Sequence, residues 1–283
     1  MKKYLALAFS LVLCLSLLTA CGDNATDDPS NDNGDQEKAV TVKVAASPAP
    51  HAEILEVAKE VLKEQNIDLE IIEFTDYIQP NSATESGDVD ANYFQHLDYL
   101  NSFNVEQGTH LVNVADIHYE PFGLYPGKTA TIDELTEGAK IAVPNDPSNE
   151  ARALLLLEAE GLIKLKEGVG LKATKLDVIE DAEDSLNIEI VEMEAAQLPG
   201  ALSSVDMAVI NGNYAIAGGL DVNDTVATED PSDEAKDLYK NILVVKEGNE
   251  NNEAIVALIN ALQSDKVRDF INEKHNGAVM PMF

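Results

Sequence analysis

Thr41-Val42-Lys43-Val44-Ala45-Ala46, the run from His51 to Gln65, and Leu69-Glu70-Ile71-Ile72-Glu73-Phe74 together decide the fold class. The first and third segments are apolar and β-branched, as strands require. Between them, Ser47-Pro48-Ala49-Pro50 reads as a turn. Ile54, Leu55, Ala58, Val61 and Leu62 then recur on one side of a helix. Strand, helix and strand within about thirty residues predict a βαβ unit and a parallel sheet.

A second stretch repeats the pattern. Lys140 to Val143 is a strand leading into Pro144-Asn145-Asp146-Pro147-Ser148-Asn149-Glu150-Ala151-Arg152 and the leucines 154–157. Asp146 is a helix N-cap, because its carboxylate can accept the free N–H groups of the first turn. Pro147 falls at the first helical position, where a missing N–H costs nothing. Asn149 and Arg152 are three apart and share one helix face. A helix start favours anions, and an arginine there adds a planar fork that matches a carboxylate. Gly161 is the expected stop.

Further strands are expected at 111–115, 176–179, 188–191, 207–210 and 242–246. Short helical pieces are expected from Asn81 to Ser86, from Thr131 to Leu135 and around Pro199. Two helices close the chain, one with Ile255, Leu258, Ile259 and Leu262, the other with Val267, Phe270 and Ile271. The strand–helix clusters before and after Tyr125 suggest two α/β lobes. No internal repeat, P-loop or G-x-G-x-x-G fingerprint occurs.

The N-terminus lies outside this fold. Lys2 and Lys3 precede an apolar run from Tyr4 to Leu17, and Leu18-Thr19-Ala20-Cys21 follows. Residues 1–20 read as a secretory signal peptide, too short for a comfortable membrane span. The ending resembles a bacterial lipobox, with Cys21 as the lipidated first residue. The other cysteine, Cys14, lies in the segment to be removed, so the mature chain has no disulfide. Residues 21–39 form the lipidated cysteine and an acidic, self-repelling tether.

With 51 acidic against 19 basic residues and a net charge of −32, the chain lacks the basic footprint of a nucleic-acid binder. The chain's function-bearing groups cluster at strand ends instead. Tyr77 follows the second strand, where ligands of open α/β sheets bind. Phe94, His96 and Tyr99 crowd a few residues of a chain that is only 5% aromatic. Asn211 follows the strand 207–210. Aromatic faces suit a thioether or a cation; Arg152 suits a carboxylate; asparagine carbonyls accept from an ammonium group. Together these groups would fit an amino acid with an apolar or sulfur-bearing side chain.

Other readings of the residues remain open. A hydrolase would need a nucleophile and a base, but Ser148 lacks a G-x-S-x-G elbow. A metal-binding lipoprotein could use His51, His96, His118 and Glu120, although no two histidines share a helix-face spacing. An adhesin would need neither Arg152 nor the aromatic set.

Several motifs carry a family resemblance. Pro50-His51-Ala52-Glu53-Ile54-Leu55, Asp76-Tyr77-Ile78-Gln79-Pro80-Asn81 and Asp90-Ala91-Asn92-Tyr93-Phe94-Gln95-His96 are the first three. Glu120-Pro121-Phe122-Gly123-Leu124-Tyr125, the 144–157 segment, Glu194 to Pro199, Val209-Ile210-Asn211 and Gly277 to Pro281 complete them. The chain resembles the methionine-binding lipoproteins of the NlpA/MetQ type, substrate-binding components of ABC importers. That resemblance implies an α/β, two-lobed periplasmic-binding-protein fold (type 2-like) with a ligand cleft. Lobe 1 would comprise 40–126 and 211–283, and lobe 2 would comprise 127–210.

The resemblance also implies site roles. Tyr77, Phe94, His96 and Tyr99 would surround a methionine side chain, Asn149 and Arg152 would hold its carboxylate, and Asn211 its ammonium. Gly200 and Gly212-Asn213 depart from the usual family pattern, which makes Asn213 a second candidate for the ammonium. The implied partners are L-methionine or a related small ligand, an ABC permease with its ATPase subunits, and the bilayer through Cys21. The implied state is a monomer on the extracytoplasmic face of the cell membrane, not an enzyme, with no cofactor or metal. If Arg152 faces the cleft, its removal should leave folding nearly unaffected.

Overall fold

The structure is a computed structural model, and it describes residues 39–180, 186–229 and 233–283. The signal-peptide, Cys21 and tether readings lie outside the described residues. From Val40 the chain builds the expected βαβ unit: β1 (Val40–Ala46), α1 (Glu53–Lys63) and β2 (Ile67–Glu73). Strands β1 and β2 pair in parallel from Val40↔Ile67 to Ala46↔Glu73. The α1 face of Ile54, Leu55, Ala58 and Leu62 is buried in the adjoining core.

Next come α2 (Gln79–Ser86), β3 (Ala91–His96), α3 (Leu97–Gln107) and β4 (Leu111–Tyr119). The chain continues with β5 (Gly123–Pro126), β6 (Lys140–Pro144), α4 (Pro147–Ala159) and β7 (Glu189–Met193). Then follow α5 (Leu198–Ala201), β8 (Met207–Ile210), α6 (Gly212–Ala217), β9 (Ala227–Thr228) and α7 (Asp233–Tyr239). It closes with β10 (Lys240–Lys246), α8 (Glu253–Leu262), α9 (Asp265–His275) and β11 (Met280–Pro281).

Two sheets result, with strand orders β11-β4-β10-β3-β1-β2 and β7-β6-β8-β5-β9. In the first, β3 joins β1 in parallel, while β10 runs antiparallel to both β3 and β4. In the second, β6 is parallel to β7 and β8, and β5 is antiparallel to β8. The larger core lies between the first sheet and α1, α8 and α9, where Leu62, Leu258, Val267 and Ile271 are fully buried. A second core packs the leucines of α4 on Ile141, Val143 and Val209. This is the α/β, two-lobed arrangement of a periplasmic binding protein.

Local chemistry explains where the sequence reading and the structure part. Residues 175–177 form a single 3-10 turn instead of a strand, because Thr174 and Asp177 cap each other's backbone. Val178 keeps one isolated bridge to Leu165. The helix expected near Thr131 is likewise one 3-10 turn, Ile132–Glu134. Gly161, by contrast, takes the left-handed φ of +72° expected of a helix stop. The chain changes sheets between β4 and β5, and returns between β9 and β10, so residues 123–126 and 227–228 belong to the second sheet. Pro121, which has no N–H to give a ladder, sits at the first of those changes.

Candidate functional site

The site gathers at the carboxyl ends of parallel strands from both sheets. Past β2, Asp76 accepts the backbone N–H groups of Ile78 and Gln79 at 2.8 Å each, and this turn holds Tyr77. The end of β3 carries Phe94 and His96. His96 also caps α3: its Nδ1 accepts the Tyr99 N–H at 3.1 Å. That bond puts the ring proton on Nε2, which donates to Asn149 Oδ1 at 3.2 Å.

Past β6, Asp146 caps α4 as its sequence predicts, accepting the Asn149 N–H at 3.0 Å. The same carboxylate takes the Asn149 side-chain amide on both oxygens, at 2.9 and 3.0 Å. The Asn149 oxygen accepts a second time, from Asn211 Nδ2 at 3.1 Å. One amide thus ties together β3, α4 and the end of β8. Asn211 Oδ1 is left buried, with no hydrogen-bond partner among the described residues.

Tyr77, Phe94, His96, Tyr99, Asn149, Arg152 and Asn211, the seven residues singled out in the sequence, all line one cavity of about 340 Å³. That volume counts space open to the solvent. Tyr77 lies 5.7 Å from Phe94 and 5.6 Å from Tyr99, ring centre to ring centre. Sequence reasoning missed Gln95, Phe122 and Asn241, offered Glu120 only as a possible metal ligand, and named Asn213 as a second candidate for the ammonium; all five line the same cavity.

Arg152 is not the open fork the sequence suggested. Its Nε donates to Glu229 Oε2 at 2.8 Å, one Nη bonds the other oxygen of Glu229, and the same Nη donates to the Glu120 carbonyl at 2.8 Å. The guanidinium lies between Phe122 and Tyr239, 4.3 and 4.2 Å from their ring centres. Burial opposes its charge, but Glu229 outweighs burial and the Arg152 pKa is raised. Burial likewise opposes the Glu229 charge; Arg152 prevails, and that carboxyl is held below its usual range. The expectation that Arg152 is dispensable for folding therefore does not hold.

Two bonds also join the turn past β2 to α6 beside the cavity. The Tyr77 hydroxyl donates to Asn213 Oδ1 at 2.5 Å, and the Tyr214 hydroxyl donates to the Thr75 carbonyl at 3.1 Å. The two rings lie 4.9 Å apart.

Behind the cavity, His51, His118 and Glu120 bring three possible metal-ligand atoms within 4.8 Å of one another. His118 Nε2 stands 2.6 Å from Glu120 Oε1, a hydrogen-bond distance. Two ligands of one tetrahedral ion, each about 2 Å from it, would stand about 3.3 Å apart. Within the trio, His118 bonds Glu120, while His51 stands 3.7 Å from that oxygen and bonds Asn241 instead. Burial lowers the pKa of His51 to about 4 and those of His96 and His118 to about 3, so all three are neutral near pH 7.

A pH dependence follows. In the unfolded chain these imidazoles take up protons below about 6.5, and the folded state refuses them. Stability should be fully present above that pH and fall as pH drops toward about 4. Glu120, raised mainly by burial, works in the opposite sense. Thermal melts from pH 7.5 to 4.5 check this. His96→Gln, which keeps a polar side chain without an ionisable ring, should flatten the decline.

The sequence profile of the NlpA lipoprotein family matches residues 42–283. The chain belongs to the NlpA lipoprotein family. Among curated relatives, the D-methionine-binding lipoprotein MetQ of Salmonella typhimurium is 40% identical over 243 residues, covering 84% of this chain and 87% of that one. Among solved structures, a nutrient binding protein from Burkholderia cenocepacia bound to methionine is 41% identical with a TM-score of 0.80. The match covers 86% of this chain and all of the other. An ABC transporter periplasmic substrate-binding protein from Coxiella burnetii is 40% identical, with a TM-score of 0.78 over 85% of this chain and 100% of that one. These NlpA-family relatives are described as binding proteins, and no helix among the described residues is long and apolar enough to cross a membrane.

Proposed function

We propose that this chain is the extracytoplasmic substrate-binding lipoprotein of an ABC importer, and that it holds methionine or a closely related amino acid. The observation that carries the reading is one cavity combining an aromatic wall with a buried, unpartnered carbonyl oxygen at Asn211. Tyr77, Phe94, Tyr99 and the edge of His96 would enclose the thioether. Asn211 Oδ1 would accept from the ligand's ammonium. Arg152 would meet the carboxylate through its guanidinium, whose Nε and one Nη also bond Glu229 and the Glu120 carbonyl. Asn149, its amide already committed, would act by aiming Asn211. The MetQ relatives and the methionine-bound Burkholderia structure support the choice of ligand.

Purified protein should release methionine on denaturation, detected by mass spectrometry. After refolding without ligand it should bind added methionine by calorimetry. Release of a different compound, with no methionine binding, would sink the choice of ligand.

The membrane side of the proposal rests on Cys21 as a lipid anchor followed by a polar tether. More than one acyl chain is needed for stable anchoring. Cys21→Ala should move the protein from the membrane fraction into the soluble one, and an unchanged distribution would refute the anchor. The folded body would work as a monomer, docking on a permease with its ATPase subunits. The two sheets would act as lobes that close on ligand, with the crossings between β4 and β5 and between β9 and β10 as hinges. Scattering profiles should contract when methionine is added.

A further inference from the structure

We propose that Glu120 is the counter-ion for the ligand's ammonium group, held in position by His118 and Tyr93. The inference rests on the amino-acid reading above and names what makes the site select a free amine.

The carboxylate is 5% exposed and lines the cavity. Its two oxygens have different surroundings. Oε1 accepts from His118 Nε2 at 2.6 Å and lies 3.7 Å from His51 Nε2. His118 can donate there because its other nitrogen, Nδ1, is bonded by the Tyr93 hydroxyl, which fixes the tautomer. Oε2 lies against Gly212, where a Cβ would come within 2.7 Å of it and 2.9 Å of the Glu120 Cβ. A glycine is needed there for the carboxylate to stand at the wall. The Asn213 N–H also faces it.

Counting charge shows what is missing. Arg152 and Glu229 neutralise each other in a two-point pair. His51, His96 and His118 are neutral. Asp146 is saturated by the first-turn donors of α4. Glu120 is thus a buried carboxyl group whose hydrogen-bonding neighbours are neutral and whose charge burial opposes. Burying a charge without an opposite partner is costly, and a ligand ammonium would supply that partner. Asn211 Oδ1, also on the cavity wall and unpartnered, offers the same ammonium a second acceptor. His51 completes the arrangement from the other side by bonding Asn241 Oδ1 at 2.9 Å, which leaves the Asn241 NH₂ as the group available to the cavity. The site therefore sorts ligands by a free amine as well as by side chain, and N-acylated amino acids should be excluded.

The test compares methionine with 4-(methylthio)butanoic acid, which has the same skeleton without the amine, on wild type, Glu120→Gln and Tyr93→Phe by calorimetric titration. Glu120→Gln should bind methionine about 30-fold more weakly or worse, as expected for removing one partner of a buried charge pair. Its affinity for the desamino acid should be unchanged or improved. Tyr93→Phe, which frees His118 to turn, should lose several-fold in methionine affinity only. If Glu120→Gln loses the same factor for both ligands, or nothing for methionine, the proposal is overturned. Equal losses in Tyr93→Phe would reduce Tyr93 to packing and remove the positioning claim. If wild type ignores methionine but binds another α-amino acid, the choice of ligand falls, and the same comparison on that ligand and its desamino analogue decides Glu120. Binding of no amine-bearing ligand overturns both.

Discussion

Replacing Arg152 by alanine should cost about 3–5 kcal/mol of folding stability in addition to ligand affinity. The reason is the partner it leaves behind. Glu229 has its carboxylate committed to Arg152, the Tyr119 hydroxyl and the Phe122 N–H, the last at 3.1 Å. Without the guanidinium, that carboxylate is a buried charge with no counter-charge. The Phe122 and Tyr239 rings also lose the group they enclose. Arg152→Lys should recover only part, since a point charge cannot make the two-point contact. Replacing both partners by apolar residues of similar volume, as in Arg152→Met with Glu229→Leu, should restore most of the stability while methionine binding stays lost. Urea unfolding of the four proteins separates the effects. A full loss of stability in the double variant would show that the pair holds the fold through its polar bonds and not through its volume.

Asn149→Ala should be nearly as damaging, at about 3 kcal/mol or more. One side chain satisfies Asp146, His96 and Asn211, all buried or nearly so. Each buried polar group left without its partner costs about 1–3 kcal/mol. The Asp146 cap itself should survive, because it accepts the backbone N–H of residue 149 whatever the side chain. Helix content by circular dichroism should therefore hold while the midpoint of unfolding falls. Methionine binding should weaken with it, since Asn211 would be free to turn its oxygen away. A variant that loses stability but keeps full affinity would show that Asn211 is aimed by something else.

The parts of this molecule legible in the sequence are those set by neighbours in the chain. The βαβ opening, the Asp146-Pro147 helix start and the Gly161 stop each depend on a few adjacent residues, and each occurs where it is expected. Tyr77, Asn149, Arg152 and Asn211 were legible for a related reason: they follow strands that periodicity locates, whereas Phe94, His96 and Tyr99 stood out as a crowd of aromatic rings in a chain poor in them. Glu229 was not, because it meets Arg152 across 77 positions, a pairing that exists only once β9 has joined the second sheet. Asn241 escaped in the same way, and Glu120 stood out only as a possible metal ligand. They sit on β10 and on β4's exit, and nothing near them marks a cavity. Leu176 to Ile179 misled for the opposite reason. Their apolar pattern is real, but the Thr174–Asp177 capping box bends the backbone first.

The bonds beside the cavity, Tyr77 to Asn213 and Tyr214 to Thr75, lie apart from the groups that would grip an amino acid's charges. These bonds would have to part for an occupant to leave, so they bear on residence time, while Arg152, Asn211 and Glu120 bear on affinity. Removing one hydroxyl there, as in Tyr214→Phe, should speed escape. For a carrier that must surrender its cargo at a membrane, holding time is thereby adjustable without altering what is held.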